Sequence, residues 1–271
     1  MPELPEVETS RRGIAPALIG RHLTGAVVRE ARMRWPVPAD LGARVAGQAI
    51  LGVHRRAKYL LIELPAGHVL IHLGMTGRIR VAPADTPALK HDHVDLLLDS
   101  GHCLRLNDAR RFGAVLWQAH PLADHPLLAG LGPEPLGADF DGTWLHRRSR
   151  GLKLAVKNFI MDQKTVVGVG NIYASESLFR AGIDPRRAAG RISLARYEAL
   201  AENIRDTLNE ALAAGGTTLR DYIGPDGAPG YFTQSLRVYD RQGRACPRCG
   251  EPIRRLIIGQ RASYFCSGCQ R

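Results

Sequence analysis

The chain reads as an α+β protein of two domains: an N-terminal antiparallel β-sandwich with a flanking helix, then a helical domain carrying a small terminal ribbon. Three observations predict this. Short β-rich runs fill the first half up to Trp117, helical periodicity takes over beyond Gly151, and four of the five cysteines crowd into the last 26 residues.

The elements follow in order. The chain opens MPELPEVET, and Glu6 to Ile19 carries acids first and arginines later, the order a helix dipole favours. Gly13 and Pro16 interrupt that stretch, so an imperfect helix is predicted. From Leu23 to Trp117 come GAVVREARM, AILGVHRRAKYLLIEL, HVLIHLGM, GRIRVA, HVDLLLDS, HCLRL and AVLWQ, punctuated by PAG, DSG and LND. Such spacing predicts antiparallel strands. Cys103, inside one apolar run, reads as a buried structural thiol. Pro, Gly, His and Asp then dominate up to residue 150, and 131–150 is expected to be a linker. Beyond it LKLAVKNFIMDQ, IYASESLFRAG and SLARYEALAENIRDTLNEALAAGG have helical spacing, the last stopped by Gly215-Gly216. The terminal cysteines stand as Cys246-Pro-Arg-Cys249 and Cys266-Ser-Gly-Cys269, separated by sixteen residues. Two CxxC pairs at that distance set four thiolates for one structural zinc ion in a two-stranded ribbon.

Across 271 residues, 37 Lys+Arg oppose 26 Asp+Glu, a net charge of +11 that favours a polyanionic partner. An Arg-rich proteome would give the same count, so charge alone does not name the partner. There is no signal-peptide pattern and no run of 18 apolar residues. A cytoplasmic protein is expected.

Several residues suit chemistry. Pro2, once Met1 is removed, would expose a secondary amine; an α-amino group is about 10% neutral at pH 7, a free lysine below about 0.1%. Its attack on an aldehyde-level carbon gives a cationic iminium, an electron sink that permits phosphate elimination from a deoxyribose. Glu3 beside it can shuttle protons. The same residues equally begin a helix. Lys58, in RRAKYLLIEL, is either an acid/base at a strand end or one more surface cation. Met75 lies between glycines and Phe112 follows Arg110-Arg111, so both are either core or wedges at loop tips. His91-Asp92-His93 has no further metal ligands at suitable spacing and reads as a strand end or a phosphate contact. Asn171 stands at the mouth of a helix behind VVGVG, where backbone N–H groups can face a phosphate or simply make a turn.

Taken together MPELPEVETSRRG, RRAKYL, IHLGMTG, KHDHVD, DARRFGA, LGPEPL, VVGVGNIYASESLF, GGTTLRDY, CPRCG and QRASYFCSGCQ resemble the bacterial formamidopyrimidine-DNA glycosylase family, colinearly from residue 1 to 271. The resemblance implies a monomeric base excision repair enzyme, without a small-molecule cofactor, acting on duplex DNA in the bacterial nucleoid. It would excise oxidised purines, chiefly 8-oxoguanine and formamidopyrimidines, and cut the abasic strand by β,δ-elimination through a Schiff base. The domains would be the catalytic helix and sandwich (1–130), the linker, a helix-two-turn-helix domain with a lid loop (151–235) and the zinc finger (236–271).

By the same resemblance Pro2 is the nucleophile, Glu3 the proton donor, Lys58 the acid/base of the β step, Arg261 that of the δ step, and Glu6 a supporting acid. Met75, Arg110 and Phe112 form a probe that fills the gap left by the everted nucleotide, with Arg110 on the orphaned cytosine. His72, His91, Lys153, Lys157, Asn171 and Arg261 contact phosphates. The segment RRSRGLKLAVK departs from the family pattern at Gly151 and Leu152, where Lys153 compensates. A sister family that cuts oxidised pyrimidines lacks LPEVETSRR and ARRFGA, which points to purines.

Overall fold

The computed structural model describes residues 2–216 and 235–271. They form two compact units, residues 2–129 with 214–216, and residues 130–213 with 235–271. Most of the stretch expected to be a lid, residues 217–232, lies outside the described residues.

The first unit begins with α1 (Leu4–Leu18). This helix starts earlier than Glu6, because Pro5 fits the first turn, where a missing N–H leaves no bond unmade. Glu3 is its N-cap, and the Glu6 carboxylate accepts from the Glu3 backbone N–H at 2.8 Å, an arm of a capping box. Gly13 and Pro16 do not end it: Pro16 falls in the last turn, and buried Ile14, Ala15 and Leu18 hold that turn to the core.

There follow β1 (His22–Val28), α2 (Leu41–Val45), β2 (Gln48–Ala49), β3 (Gly52–Arg56), β4 (Tyr59–Leu64), β5 (Gly67–His72), β6 (Arg78–Pro83), β7 (Asp92–Leu98), β8 (His102–Asn107) and β9 (Ala114–Ala119). They make a five-stranded sheet, β2-β1-β7-β8-β6, and a four-stranded sheet, β3-β4-β5-β9. Every pairing is antiparallel. Leu96, Leu104 and Leu106 from one sheet, Leu60, Ile62, Val69 and Ile71 from the other, and Val7, Ile14 and Leu18 from α1 share one apolar core. Each such side chain contributes about 1.5–3 kcal/mol by leaving water.

Charge is also buried in this unit. Arg105 is 0% exposed and donates to both Asp95 oxygens at 2.8 Å, while Arg29 reaches Asp95 at 2.6 Å and Arg80 reaches Asp92 at 2.7 Å. Burial alone would raise both carboxyls, but hydrogen bonds, chiefly from Arg80 to Asp92 and from Arg29 and Arg105 to Asp95, hold them below their ordinary range. Cys103 is buried as expected, and burial pushes its thiol up.

The second unit contains α3 (Gly142–Ser149), α4 (Val156–Met161), α5 (Asn171–Arg180), α6 (Leu194–Ala213), β10 (Arg254–Ile258) and β11 (Arg261–Phe265). α3 lies inside the stretch 131–150 expected to be a linker. Asp141 caps it by accepting from the Trp144 N–H at 2.6 Å, and the Trp144 indole donates to the Thr165 carbonyl at 2.8 Å. A Cβ on Gly142 would stand 2.4 Å from the Glu198 backbone, so α3 packs tightly on α6. Proline and glycine made this stretch look like a connection, whereas its aromatic residues belong to a packed face. α6 is followed by Gly215 and Gly216 at φ +73° and +86°, the left-handed geometry expected of a helix stop. β10 and β11 pair around Gly259-Gln260, both with positive φ (+53° and +63°), the pattern of a type I′ hairpin. Among the described residues no helix is long and apolar enough to cross a membrane.

Candidate active site

In the first unit Pro2, Glu3 and Glu6 are all buried at the start of α1. α1 packs on β3 and β4, whose two-residue turn is Ala57-Lys58. Lys58 therefore sits in the turn instead of opening the strand, and at 8% exposure it is no ordinary surface cation. Ala57 adopts φ +54°, a left-handed conformation that costs about 1–2 kcal/mol for a residue with a Cβ. Arg55 holds it there by donating to the Ala57 carbonyl at 3.0 Å and to Glu8 at 3.3 Å. Burial pushes the Glu8 carboxyl up, but hydrogen bonds from Arg11 and Arg12, at 2.9 Å each, bring it below the usual range. The charged Glu8 thus ties the helix that begins at Glu3 to the turn that carries Lys58.

His72 ends β5, opposite Tyr59 in register, with the rings 4.9 Å apart. Burial, then the charges of Lys58 and Arg34, depress its pKa to about 4, so the ring is neutral at pH 7. Its Nδ1 accepts from the Gly74 N–H at 3.0 Å, which assigns the ring proton to Nε2. His72 is thereby a neutral hydrogen-bond donor.

Met75 lies in the turn between β5 and β6, and Arg110 and Phe112 lie in the loop between β8 and β9. Phe112 is 41% exposed, and the Arg110 guanidinium stacks 4.7 Å from its ring centroid. Met75 is half-buried. The two loops touch: a Cβ on Gly74 would stand 2.4 Å from the Phe112 carbonyl carbon. His91, at φ +72°, enters β7, and its carbonyl accepts from the Asp108 N–H at 3.0 Å.

In the second unit Asn171 opens α5, Arg261 opens β11 and is exposed, and Lys153 is exposed ahead of α4. Lys157, expected at a phosphate, is 0% exposed. Its ammonium donates to Asn171 Oδ1 at 2.6 Å, to Ser263 Oγ at 2.6 Å and to the Ala262 carbonyl at 3.1 Å. Asn171 Nδ2 also donates to the Ala262 carbonyl, at 3.0 Å. With three acceptors around three N–H donors, Lys157 fixes the hairpin that presents Arg261. Sequence spacing could not foresee a contact across 106 residues.

The four cysteine Sγ atoms lie within 4.8 Å of one another, with Cys246–Cys269 at 3.8 Å and Cys249–Cys266 at 3.4 Å. A tetrahedron of thiolates at about 2.3 Å from zinc has edges of about 3.8 Å, so the set fits one zinc ion. Glu176 of α5, which sequence reasoning missed, is 1% exposed and accepts from the N–H groups of Arg237, Val238 and Tyr239 at 2.8–2.9 Å. It anchors the chain that enters the zinc finger. Its only sequence signal was an acid on the apolar face of GNIYASE.

Family models match in three stretches: the formamidopyrimidine-DNA glycosylase N-terminal domain over residues 1–115, its H2TH domain over 131–222, and a zinc finger found in FPG and IleRS over 243–271. A formamidopyrimidine-DNA glycosylase from Syntrophotalea carbinolica is 62% identical, and one from Stutzerimonas stutzeri 60%, each over the whole of both chains. Among solved structures, the MutM (FPG) protein from Thermus thermophilus is 38% identical with a TM-score of 0.90, covering 99% of this chain and 98% of its own. A Lactococcus lactis FPG mutant bound to Fapy-dG-containing DNA is 31% identical with a TM-score of 0.93 over all of both chains. With a sandwich behind a PELPE helix, an H2TH unit and a four-cysteine hairpin in one colinear match, the chain belongs to the formamidopyrimidine-DNA glycosylase family of DNA repair enzymes.

Proposed function

We propose that this DNA glycosylase excises oxidised purines, 8-oxoguanine and formamidopyrimidines, from duplex DNA and cuts the abasic strand by β,δ-elimination through a Schiff base on Pro2. The observation that carries this reading is the buried Pro2-Glu3 pair at the head of a helix tied through Glu8 and Arg55 to the turn of Lys58. The Pro2 amine, freed of Met1, displaces the base at C1′ and gives up its own proton; Glu3 then protonates O4′ as the C1′–O4′ bond breaks, which opens the sugar ring and leaves the iminium. The resulting iminium acidifies C2′, and loss of that proton expels the 3′ phosphate, with Lys58 as acid/base; a second elimination, with Arg261 as acid/base, expels the 5′ phosphate. Glu6 supports the site by holding the Glu3 backbone.

Met75, Arg110 and Phe112 fill the space left by the everted nucleotide, and the exposed guanidinium of Arg110 reads the orphaned cytosine. His72 through Nε2–H, His91, Asn171, Lys153 and Arg261 contact phosphates, while Lys157 supports Asn171 and Arg261 by setting the hairpin. Zinc, when bound, holds the finger folded. The Lactococcus lactis relatives complexed with Fapy-dG-containing and abasic-site-containing DNA support damaged DNA as the substrate.

Intact mass followed by borohydride trapping on a duplex with one 8-oxoguanine opposite cytosine tests the reading. Loss of one methionine and a covalent adduct that disappears in Pro2→Gly are expected. A processed N-terminus with neither adduct nor cleavage would overturn it, and faster cleavage of thymine glycol would move the substrate class to pyrimidines.

A further inference from the structure

The three residues assigned to the probe stand on two loops far apart in sequence, and a single carboxylate joins those loops. Asp108 is 0% exposed. Its Oδ1 accepts from the Thr76 hydroxyl at 2.6 Å and from the Arg110 N–H at 3.3 Å, and its Oδ2 accepts from the Gly113 N–H at 2.7 Å. Thr76 Oγ1 accepts from the Arg110 N–H at 3.2 Å, so donor, hydroxyl and carboxylate close a small network.

The Asp108 backbone is held as firmly. Its N–H donates to the His91 carbonyl at 3.0 Å, its carbonyl accepts from the Arg111 N–H at 3.2 Å, and His93 Nε2 lies 2.8 Å from that carbonyl and donates to it. Arg111 is forced to φ +56°. Neither loop has slack: a Cβ on Gly74 would meet Phe112 at 2.4 Å, and one on Gly113 would meet the His72 carbonyl at 2.6 Å. A fully buried carboxylate satisfied by these donors is expensive to disturb, because each orphaned donor stays out of water.

We propose that Asp108 is a positioning residue that locks the Met75 turn to the Arg110–Phe112 loop, so that the three side chains enter the base stack as one rigid wedge. The inference rests on the probe assignment under the proposed function. Everting a paired base needs all three side chains placed together, since the wedge must offset unstacking as it forms. A preformed abasic site has no base to evict and depends less on the wedge. Asp108 therefore governs excision more than strand cleavage.

The experiment compares wild type with Asp108→Asn, which turns one acceptor into a donor facing a donor, and Thr76→Val, which removes only the hydroxyl. Three quantities are read: single-turnover excision at 8-oxoguanine opposite cytosine, cleavage of a preformed abasic duplex, and fluorescence of 2-aminopurine placed beside the lesion as a report of wedge insertion. Asp108→Asn is expected to slow excision about tenfold or more, with a clearly smaller loss at the abasic site and a diminished 2-aminopurine signal. Thr76→Val moves the same readouts in the same direction by a smaller factor, and it decides the question should Asp108→Asn fold poorly. Equal losses on both substrates, or an unchanged insertion signal in both variants, would overturn the inference and leave the function standing. A wild type that cleaves neither substrate would overturn both.

Discussion

Lys58 and Lys157 are two buried lysines with opposite duties. Lys58 rides a two-residue turn whose position is set by its neighbours, by the apolar strands beneath it and by the Glu8–Arg55 tie. Lys157 is itself the fixture, with three acceptors around its ammonium and a hairpin resting on it. The difference follows from the size of the local core. The sandwich has two sheets and a helix with which to place a turn, whereas the zinc hairpin has a few apolar residues around Phe179, Val238 and Tyr264 and relies on buried polar struts. Burial of Lys157 thus serves architecture, whereas under the proposed function burial of Lys58 serves the reaction.

The contrast can be broken most directly at the metal. Chelation or Cys246→Ser should unfold the finger and abolish DNA binding, since structural zinc supplies about 10 kcal/mol or more to such a fold; hydrogen exchange over 243–271 and an anisotropy titration would read it. Unchanged affinity without metal would detach the hairpin from the interface. Next in size, Lys157→Met takes the ammonium donor away from Asn171 Oδ1 and Ser263 Oγ, while the Ala262 carbonyl keeps the Asn171 amide, and should cost about 2–4 kcal/mol. Lys58→Met should cost less stability but lower strand cleavage at least about tenfold. If both variants lose stability alike and cleave alike, the two lysines do the same work and the distinction fails.

A smaller effect is expected from pH. The folded chain holds His72 neutral down to about 4 against an ordinary 6.5, so the unfolded chain binds the extra proton first. The stability owed to the neutral ring is complete above pH 6.5 and declines as pH falls towards 4. Thermal melts of His72→Gln over that range should show a shallower decline than wild type. Smallest of all, Phe112→Ala should alter stability by no more than about 0.5 kcal/mol, because its ring is 41% exposed, yet it should slow excision. A large loss of stability would place Phe112 in the core after all.

Much of the architecture was legible because it is local. Cysteine spacing announced the hairpin, short β-rich runs punctuated by turn residues announced the strands, and Gly215-Gly216 announced the end of α6. What could not be read was long-range hydrogen bonding. Nothing around Lys157 distinguishes a strut from a phosphate contact, and nothing in HCLRL says that the guanidinium of Arg105 is buried. α3 was hidden for a different reason: Pro, Gly and Asp dominate its approach, while Phe140 and Trp144, which pack it, are too few to set a period. Asp108 was visible as an Asx residue before a turn, but its partner Thr76 is 32 residues away.

The Arg29–Asp95–Arg105 and Arg80–Asp92 pairs bear on how the enzyme leaves DNA. Of the 37 Lys+Arg, Arg105 is fully buried on Asp95 and displaces no counterion from a duplex, and Arg29 and Arg80 are already paired with Asp95 and Asp92, so the slope of affinity against ionic strength should be shallower than the cation count implies. Mobile ions screen groups at the surface far more than groups buried between strands. Raising ionic strength should therefore strip the protein from its duplex while the sandwich keeps its internal pairs, and lowering it again should return a protein ready for the next search.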